Sequence, residues 1–343
     1  MNILVIGGTG FLGYHACLEL TERGHRVTAL GIPPGPAPSL LPESVRIVLM
    51  DLATADDRAV DALMETVEAV VFAAGADDRQ TPPAPAQRFF YEANVRTTVR
   101  VAAAALRARL KKMIILGSYF TYFDRQWPEM KLAEVHPYIH SRKEQMRLAT
   151  DIAGDAMALV VLELPYIFGA MPGAAPLWTP LVNYVRSGTP LVYPRGGSNM
   201  IAVEGVAQAI AGACEDIQQS SVFQIGDENL TWTQLLQLMC RAIGRKDDKV
   251  HIIDNTVLKS MSWMLDAIHS IKGLEGGLHS REFANLLVEN AFFDPSASQT
   301  ALGYNTGTLE QAIQATVAAS PEHLMFENWP RFLQHLPGLT AKR

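Results

Sequence analysis

A short apolar run at the start of the chain leads directly into a glycine-rich turn. The run, Asn2 to Ile6, has the length of a buried strand, and no polar spacer follows it. A helix is predicted from Phe11 to Arg23 and a second strand from Arg26 to Leu30, so the turn lies inside a βαβ unit. Its glycines fit G-x-G-x-x-G, a spacing that places a helix N-terminus at a pyrophosphate. The sequence therefore predicts a dinucleotide site at Gly7, Gly8, Thr9, Gly10, Phe11, Leu12 and Gly13.

Apolar runs of strand length alternate with helical segments through the first half of the chain. The runs carry few polar residues, as parallel strands covered on both faces do. Strands are predicted at 45–49, 69–73, 112–117 and 157–162, and helices at 54–66, 87–110 and 137–153. This alternation predicts an α/β fold of the Rossmann type, a doubly wound parallel sheet, over residues 1–168.

The second half of the chain differs in composition. Pro, Gly and Ala are frequent from Leu164 to Pro180, which predicts a loop over the carboxyl edge of the sheet, where ligands bind in open α/β folds. Residues 251–290 are expected to be mostly helical. We expect this half to supply a smaller mixed α/β domain that binds the substrate.

Composition narrows the classes of partner. The chain has 343 residues, of which 48% are hydrophobic and 19% charged, and a net charge of -6, which favours a globular protein over one that binds nucleic acid. Its three cysteines lack the spacing of a zinc site or a disulfide framework. No apolar run has the length of a membrane span. The expectation is a cytoplasmic protein that binds a small-molecule substrate, with no metal, nucleic-acid or membrane partner.

The ends of the next strands carry further candidate cofactor contacts. Gly31 stands where Asp or Glu commonly selects NAD, and no Arg that would favour NADP follows before Arg46, so the sequence leaves this choice open. Asp51, followed by Leu52, either accepts from an adenine amino group or caps a turn. Small residues after the fourth strand let a cofactor lie against the backbone. These residues are Ala73, Ala74 and Gly75.

The order of several short motifs resembles the extended short-chain dehydrogenase/reductases, the group that contains the NAD-dependent sugar epimerases and dehydratases. After the glycine turn and Asp51-Leu52 come Asn94-Val95, Gly117-Ser118, Pro137-Tyr138 and Leu164-Pro165-Tyr166-Ile167. The resemblance implies NAD or NADP as the cofactor. It adds to the cofactor contacts Asn94, Tyr138, Arg142, Pro165 and Ile167.

The same resemblance implies domain boundaries and an assembly. The segment at about 200–226 is expected to return to the sheet. The dinucleotide-binding domain would then comprise 1–168 and 200–226, and the substrate-binding domain 169–199 and 227–343. A homodimer is also implied, with the helices predicted at 87–110 and 137–153 pairing across the interface.

A catalytic trio of Ser, Tyr and Lys beside the nicotinamide is a further implication of the resemblance. Ser118 would orient the substrate oxygen, and Tyr138 would exchange the hydroxyl proton, which requires a nearby cation because a free phenol has a pKa of about 10. Four residues after Tyr138, on the same helix face, stands Arg142 instead of Lys, and Lys143 follows. Three hypotheses remain. Arg142 supplies the charge, Lys143 reaches the phenol through a shifted register, or the chain binds cofactor with little turnover.

Substrate recognition also departs from the family pattern. Members that act on nucleotide sugars commonly carry an Arg for the pyrophosphate just before the strand that here is Met200 to Val203, and this chain has Ser198 and Asn199 there. Arg195, on the preceding turn, either replaces that Arg or is a solvated turn residue. The predicted function is a NAD(P)-dependent oxidoreductase of the epimerase/dehydratase type, acting on a sugar-derived or small keto or hydroxy compound. The alternative is a NAD(P)-binding regulatory or scaffold protein with little or no turnover.

Three other polar residues have two interpretations each. Glu163 follows an apolar strand near the expected cleft, so it either contacts substrate or is a buried and paired carboxylate. His136 and His140 are four residues apart on a helix face but lack a third candidate ligand. Solvated histidines at a helix start are expected there, and no metal site is predicted.

Overall fold

The computed structural model describes residues 1–37 and 39–322, so residues 323–343, which the sequence analysis assigns to the substrate-binding domain, lie outside the described part. The strands are β1 Asn2–Ile6, β2 Arg26–Gly31, β3 Arg46–Leu49, β4 Ala69–Phe72, β5 Lys112–Ser118, β6 Ala158–Leu164, β7 Tyr166–Phe168, β8 Leu191–Tyr193, β9 Gly197–Ala202, β10 Ser221–Gln224, β11 Glu228–Thr231, β12 Val250–Ile252 and β13 Asn290–Ala291. The helices are α1 Phe11–Glu22, α2 Asp57–Met64, α3 Ala86–Phe90, α4 Thr97–Arg107, α5 Phe120–Gln126, α6 Leu132–Val135, α7 Pro137–Ala153, α8 Thr179–Arg186, α9 Val203–Glu215, α10 Trp232–Ile243, α11 Asn255–Ile271, α12 Ser280–Leu287, α13 Ser296–Leu302 and α14 Leu309–Ala319.

Seven strands form one parallel sheet in the order β10-β6-β5-β4-β1-β2-β3. In β1, Leu4 lies opposite Thr28 of β2 on one side and Val70 of β4 on the other. The chain winds outward from β1 to β3, then returns past β1 to β4 and winds the other way, so the prediction of a doubly wound sheet is confirmed. A crevice opens where the direction reverses, at the carboxyl ends of β1 and β4, which is where ligands bind in such folds.

Helices cover both faces of this sheet. On one face α1 packs against α9, and Cys17 and Ile210 belong to the same buried cluster as Val5 of β1. On the other face α2, α4 and α7 pack together, and Val101 and Ala149 belong to a second cluster. Both faces are therefore removed from water, which explains why the strands are continuously apolar.

The helix predicted at 87–110 changes its winding midway. A π-helical turn from Tyr91 to Arg96 joins α3 to α4. The turn places Asn94 where its Oδ1 accepts a hydrogen bond from the Ala76 amide at 2.8 Å and its Nδ2 donates to Ser141 Oγ at 3.0 Å. Asn94 thereby joins the loop after β4 to helix α7, in keeping with the frequent location of π turns near functional sites.

A smaller sheet lies beyond the main one. β9 pairs with β7, β11 and β13, and helices α8, α10 and α14 surround it. β7 falls inside the predicted 164–180 loop. Three residues are too few to show an alternating pattern, so the sequence indicates only a loop there. The segment from α9 to β10 lies with the main sheet, because β10 pairs with β6.

Candidate active site

Two adjoining cavities open at the carboxyl ends of β1 and β4. The first, of about 540 Å³, is called the Asp51 cavity, and the second, of about 380 Å³, the Tyr138 cavity. The predicted residues of the Asp51 cavity are Gly7, Thr9, Gly10, Gly31, Asp51 and Leu52. Those of the Tyr138 cavity are Phe11, Leu12, Ser118, Tyr138, Arg142, Pro165 and Ile167. Both cavities are lined by Ala73, Ala74 and Gly75, so they form one continuous cleft.

Three predicted cofactor residues line neither cavity. A Cβ on Gly13 would collide with the carbonyl oxygen of Gly7, so only glycine lets α1 approach the end of β1 this closely. Gly8 packs against Ala29 of β2. Asn94 is fully buried and acts on the cleft through Ala76. These three residues therefore support the walls of the cleft without lining it.

The Asp51 cavity is lined by the carboxylate of Asp51 and has no side chain at position 31, which is Gly31. Oδ1 of Asp51 accepts from the Ala53 amide at 2.9 Å, so the residue caps a turn while it also faces the cavity. A Cβ on Gly31 would lie 2.6 Å from Oγ1 of Thr9, so Thr9 fills the space that a side chain at position 31 would need. Of the described residues that line this cavity, none is Lys or Arg.

Ser118 and Tyr138 come to the Tyr138 cavity from two different elements. Ser118 is the last residue of β5, and its Oγ accepts from the Phe120 amide at 3.3 Å. Tyr138 is the second residue of α7, and its ring packs edge-on against Phe90 and Phe120 with centroid distances of 5.8 and 6.4 Å. Both residues are buried. Proton exchange here would therefore take place largely out of contact with bulk water.

Arg142 lies one turn after Tyr138 and faces the same cavity. Its Cζ is 5.2 Å from the centroid of the Tyr138 ring. Nη1 donates to Gln145 Oε1 at 2.9 Å, and Nη2 donates to the carbonyl oxygen of Ala76 at 3.3 Å. Its Nε is buried and has no partner within the described structure. A buried donor without an acceptor is costly, so this nitrogen is suited to an oxygen of a bound ligand.

Lys143 points away from the phenol. Its Nζ is 2.8 Å from Oδ2 of Asp124 in an ion pair on the outer side of α7. Lys143 is five residues after Tyr138, which turns it too far around the helix axis to share the face of Tyr138. The structure therefore brings Arg142, and not Lys143, to the candidate acid/base residue.

A segment from late in the chain covers Tyr138. We call Gly273 to His279 the strap. The Gly277 carbonyl accepts from the Tyr138 amide at 3.0 Å, and the Glu275 amide donates to the Pro82 carbonyl at 3.0 Å. A Cβ on Gly277 would approach the Phe90 ring to 2.5 Å, so the strap lies directly against the aromatic packing around Tyr138.

His136 anchors the strap, and its predicted solvation is wrong. The residue is buried, and its Nδ1 accepts from the His279 amide at 3.1 Å. Burial, together with the neighbouring His279 ring, lowers the pKa of His136 to about 4. His140 is half-buried. Across 1–37 and 39–322, no group of three or more His, Cys, Asp or Glu side chains is arranged to hold a metal ion.

Glu163 and Arg195 also have clear positions. Glu163 is fully buried and does not line either cavity; Arg125 donates to its two oxygens at 2.9 and 2.7 Å, and Gln224 donates at 2.8 Å. Of the two interpretations of Glu163, a substrate contact or a buried and paired carboxylate, the second therefore holds. Arg195 is exposed and lines a separate cavity with Lys259 and Glu289. Neither residue belongs to the cleft.

The Tyr138 cavity contains residues that motif reasoning missed. The charged ones are Asp77, Asp78 and Arg79 from the loop after β4, and aromatic side chains from three other segments add to the wall: Tyr119, Tyr166 and Trp178. Burial raises the pKa of Asp78, against the opposing charge of Arg79. The one sequence signal for Asp78 is its place just after a strand end at the carboxyl edge of the sheet, where ligands bind.

Comparisons with known proteins agree with this architecture. A family model described as "NAD dependent epimerase/dehydratase family" matches residues 3–226. The UDP-glucose 4-epimerase of Klebsiella pneumoniae is 28% identical over 134 residues, which are 36% of this chain and 94% of that protein. None of the described helices combines the length and the apolar character needed to cross a membrane.

Two solved structures are similar over nearly the whole chain. The structure of gox2253 has a TM-score of 0.77 and 20% identity, and covers 94% of this chain and 98% of that one. The UDP-glucose 4-epimerase of Bifidobacterium longum, in complex with NAD+ and UDP, has a TM-score of 0.68 and 16% identity, and covers 92% of this chain and 97% of that one. At these identities the similarity establishes the fold.

Proposed function

Because the chain belongs to the NAD dependent epimerase/dehydratase family, we propose that it is an oxidoreductase of the epimerase/dehydratase type with a nicotinamide cofactor. It would exchange hydride with a hydroxyl or keto carbon of a sugar-derived or small hydroxy or keto compound. The observation that carries the proposal is that Ser118, Tyr138 and Arg142 line one cavity, which continues past the small residues after β4 into the Asp51 cavity.

The residues present fit a dinucleotide. The amides of the glycine turn and the N-terminus of α1 would hold the pyrophosphate. Gly13 permits this arrangement, because a Cβ there would collide with the carbonyl oxygen of Gly7. Asp51 would contact the adenosine. The buried, unpartnered Nε of Arg142 would donate to a ribose hydroxyl on the nicotinamide side.

The proposed roles of the chain's own residues follow from their positions. A bound nicotinamide supplies the hydride-accepting and hydride-donating carbon. Tyr138 exchanges the substrate hydroxyl proton, and Ser118 Oγ orients the substrate oxygen. The Arg142 charge, held over the face of the Tyr138 ring, would stabilise the negative charge that develops on the phenol oxygen as the proton leaves. The strap and the aromatic packing around Tyr138 exclude water from this exchange.

For the cofactor we propose NAD in preference to NADP. The described lining of the Asp51 cavity holds one carboxylate, that of Asp51, and no Lys or Arg. A 2′-phosphate placed there would meet a negative charge with no cation to pair with it. Ribose hydroxyls, in contrast, can donate to a carboxylate.

Substitution of Tyr138 by Phe tests the function. We expect Tyr138→Phe to lower kcat by at least about 100-fold, because it removes the proton-exchanging hydroxyl, while NAD affinity stays within about threefold. Turnover is measured on UDP-glucose and on a panel of unphosphorylated hydroxy and keto compounds. Tyr91→Phe, at an exposed tyrosine outside the cleft, is the matched control. Equal kcat values for Tyr138→Phe and wild type would remove the tyrosine mechanism.

A second candidate is a NAD(P)-binding regulatory or scaffold protein. The observation in its favour is Arg142 itself, since a guanidinium cannot exchange its proton as an ammonium can. Tight cofactor binding by a wild-type protein that turns over none of these compounds would support this candidate. A homodimer and a cytoplasmic location remain parts of the proposal, to be tested by sedimentation and by fractionation of cells.

A further inference from the structure

The loop after β4 carries a carboxylate into the Tyr138 cavity. Asn94 holds this loop through the Ala76 amide, and Asp78, two residues further on, lines the same cavity as Ser118 and Tyr138. Asp78 is partly buried. Among residues 1–37 and 39–322, no side chain donates a hydrogen bond to it or forms an ion pair with it. The carboxylate thus faces the candidate reaction site without a fixed partner.

Both cations that line the cavity are engaged elsewhere. Nη2 of Arg79 donates to Oδ2 of Asp77 at 2.7 Å, and its Nη1 donates to the Leu177 carbonyl at 3.3 Å. Arg142 directs its Nη atoms to backbone carbonyls and to an amide side chain. Its charge still acts on Asp78 over a distance, but without contact. Arg79 is therefore paired with another carboxylate, and of the Arg142 nitrogens only Nε is left without a partner among the described residues.

Apart from Asp77, which is paired with Arg79, the rest of the described wall supplies no further charge. The Tyr119 hydroxyl lies 2.9 Å from Ser198 Oγ, and burial raises the pKa of both Tyr119 and Tyr166, so these phenols are neutral. Phe120 and Trp178 add apolar surface. A partly buried carboxylate without a donor costs free energy, and a donor on a ligand would recover it.

We propose that Asp78 selects the substrate by accepting hydrogen bonds from its hydroxyl or amino groups, so that the site takes unphosphorylated polyhydroxy or amino compounds and rejects nucleoside diphosphate sugars. This inference rests on the proposed function, because it assigns a substrate class to the same site. A diphosphate in this cavity would meet the carboxylates of Asp77 and Asp78, while Arg79 is paired with Asp77 and the proposed function commits Arg142 to Tyr138 and the cofactor ribose. Ser198 and Asn199, where relatives carry the pyrophosphate-binding Arg, are fully buried in β9.

The first test uses UDP-glucose as the probe, titrated into NAD-loaded protein and followed by calorimetry. Asp78→Asn keeps the side-chain shape and removes the charge. We expect it to lower the Kd for UDP-glucose at least about tenfold, because the repulsion of the diphosphate is removed. Asp61→Asn, which breaks a surface pair with Arg107 outside both cavities, is the matched control, and its Kd should stay within about twofold of wild type. An unchanged or higher Kd in Asp78→Asn overturns the proposal.

The second test uses the best unphosphorylated substrate from the screening panel. We expect Asp78→Asn to raise KM about tenfold and to leave kcat within about threefold, because the lost contact positions substrate and takes no part in proton exchange. An unchanged KM overturns the proposal. The calorimetric test needs no turnover, so it reports on Asp78 even if the protein proves inactive. Failure of the proposed function appears separately, as absence of turnover by wild type.

Discussion

Arg142 lies over the ring of Tyr138 and has no carboxylate partner among the described residues. A cation at the face of a phenol stabilises the negative charge that develops on the oxygen as the proton leaves, and more so where water is excluded. A guanidinium keeps its proton at every working pH, so the charge at this position does not vary, whereas a buried ammonium can lose its proton. Arg142 therefore supplies a constant field and not a proton.

Removal of this charge should slow the reaction. Arg142→Met retains much of the length of the side chain without its charge, and we expect kcat to fall about 100-fold, because the negative charge that develops on the Tyr138 oxygen loses this cation. Arg142→Lys restores a cation and should retain at least about a tenth of the wild-type kcat. The measurement is kcat from about pH 6 to about pH 10. Arg107→Met, which breaks a surface pair with Asp61, is the control.

The sequence predicts which residues share the face of α7 but not the direction of their side-chain ends. The four-residue spacing brings Arg142 to the side of Tyr138, and this follows from helical periodicity alone. Whether the guanidinium stacks on the ring or turns outward depends on Gln145, one turn further along α7, and on Ala76, which meets it only in the folded protein. Asp78 shows the same limit, because the cavity that it lines is assembled from elements far apart in sequence.

At the scale of elements, the N-terminus of α7 depends on the strap. His136 lies just before the helix and accepts from the His279 amide, while the Tyr138 amide donates to the Gly277 carbonyl. Nothing in the local sequence of α7 indicates this contact. The strap therefore belongs to the site, although no motif marks it.

Acid should weaken this junction. The pKa of His136 is lowered from 6.5 to about 4 in the folded protein, so the unfolded chain binds a proton at a higher pH than the folded one does. Stability is therefore complete above about pH 6.5 and falls as the pH decreases toward 4, by up to about 3 kcal/mol. We expect the Tm to fall over this window and to fall less in His136→Asn, which keeps an acceptor. The exposed His251→Asn is the control; equal pH slopes in wild type and His136→Asn would contradict the assignment.

The strands of the main sheet could be predicted from the sequence, whereas several short elements could not. Strands buried on both faces must be apolar throughout, so their sequences are conspicuous. The π turn from Tyr91 to Arg96 was not predictable, because one extra residue in a helical turn leaves the pattern of apolar residues nearly unchanged. β7 and β13 are likewise too short to have a pattern of their own.

At the scale of the whole molecule, the reversal of winding beside β1 creates the cleft. The ends of β1 and β4 bring Gly7 and Ala73 together, and the two halves of the winding supply the opposite walls. The sequence predicts this cleft because order and handedness follow from alternating strands and helices. It does not predict the charge inside the cleft, which depends on residues such as Asp78 in its loops.

Cofactor titration tests the cleft as a unit. We expect purified protein to bind NAD and NADH at least about tenfold more tightly than NADP and NADPH, because the Asp51 cavity offers no described cation to a 2′-phosphate. Fluorescence of the reduced cofactors and calorimetry of the oxidised ones give the four Kd values. Gly13→Ala, checked for folding by circular dichroism, should weaken all four alike. Preference for NADP in the wild type would contradict the proposal that the Asp51 cavity selects NAD.

The carbonyl of Gly277 that holds the Tyr138 amide comes from a part of the chain that follows every strand of the main sheet. A nascent chain emerges from the ribosome N-terminus first, and its domains begin to fold as they emerge. The Asp51 cavity, whose described lining ends at Thr97, is thus complete in the nascent chain long before the strap is made. The growing protein would acquire the means to bind a nucleotide first, and the enclosed acid/base residue only near the end of its synthesis.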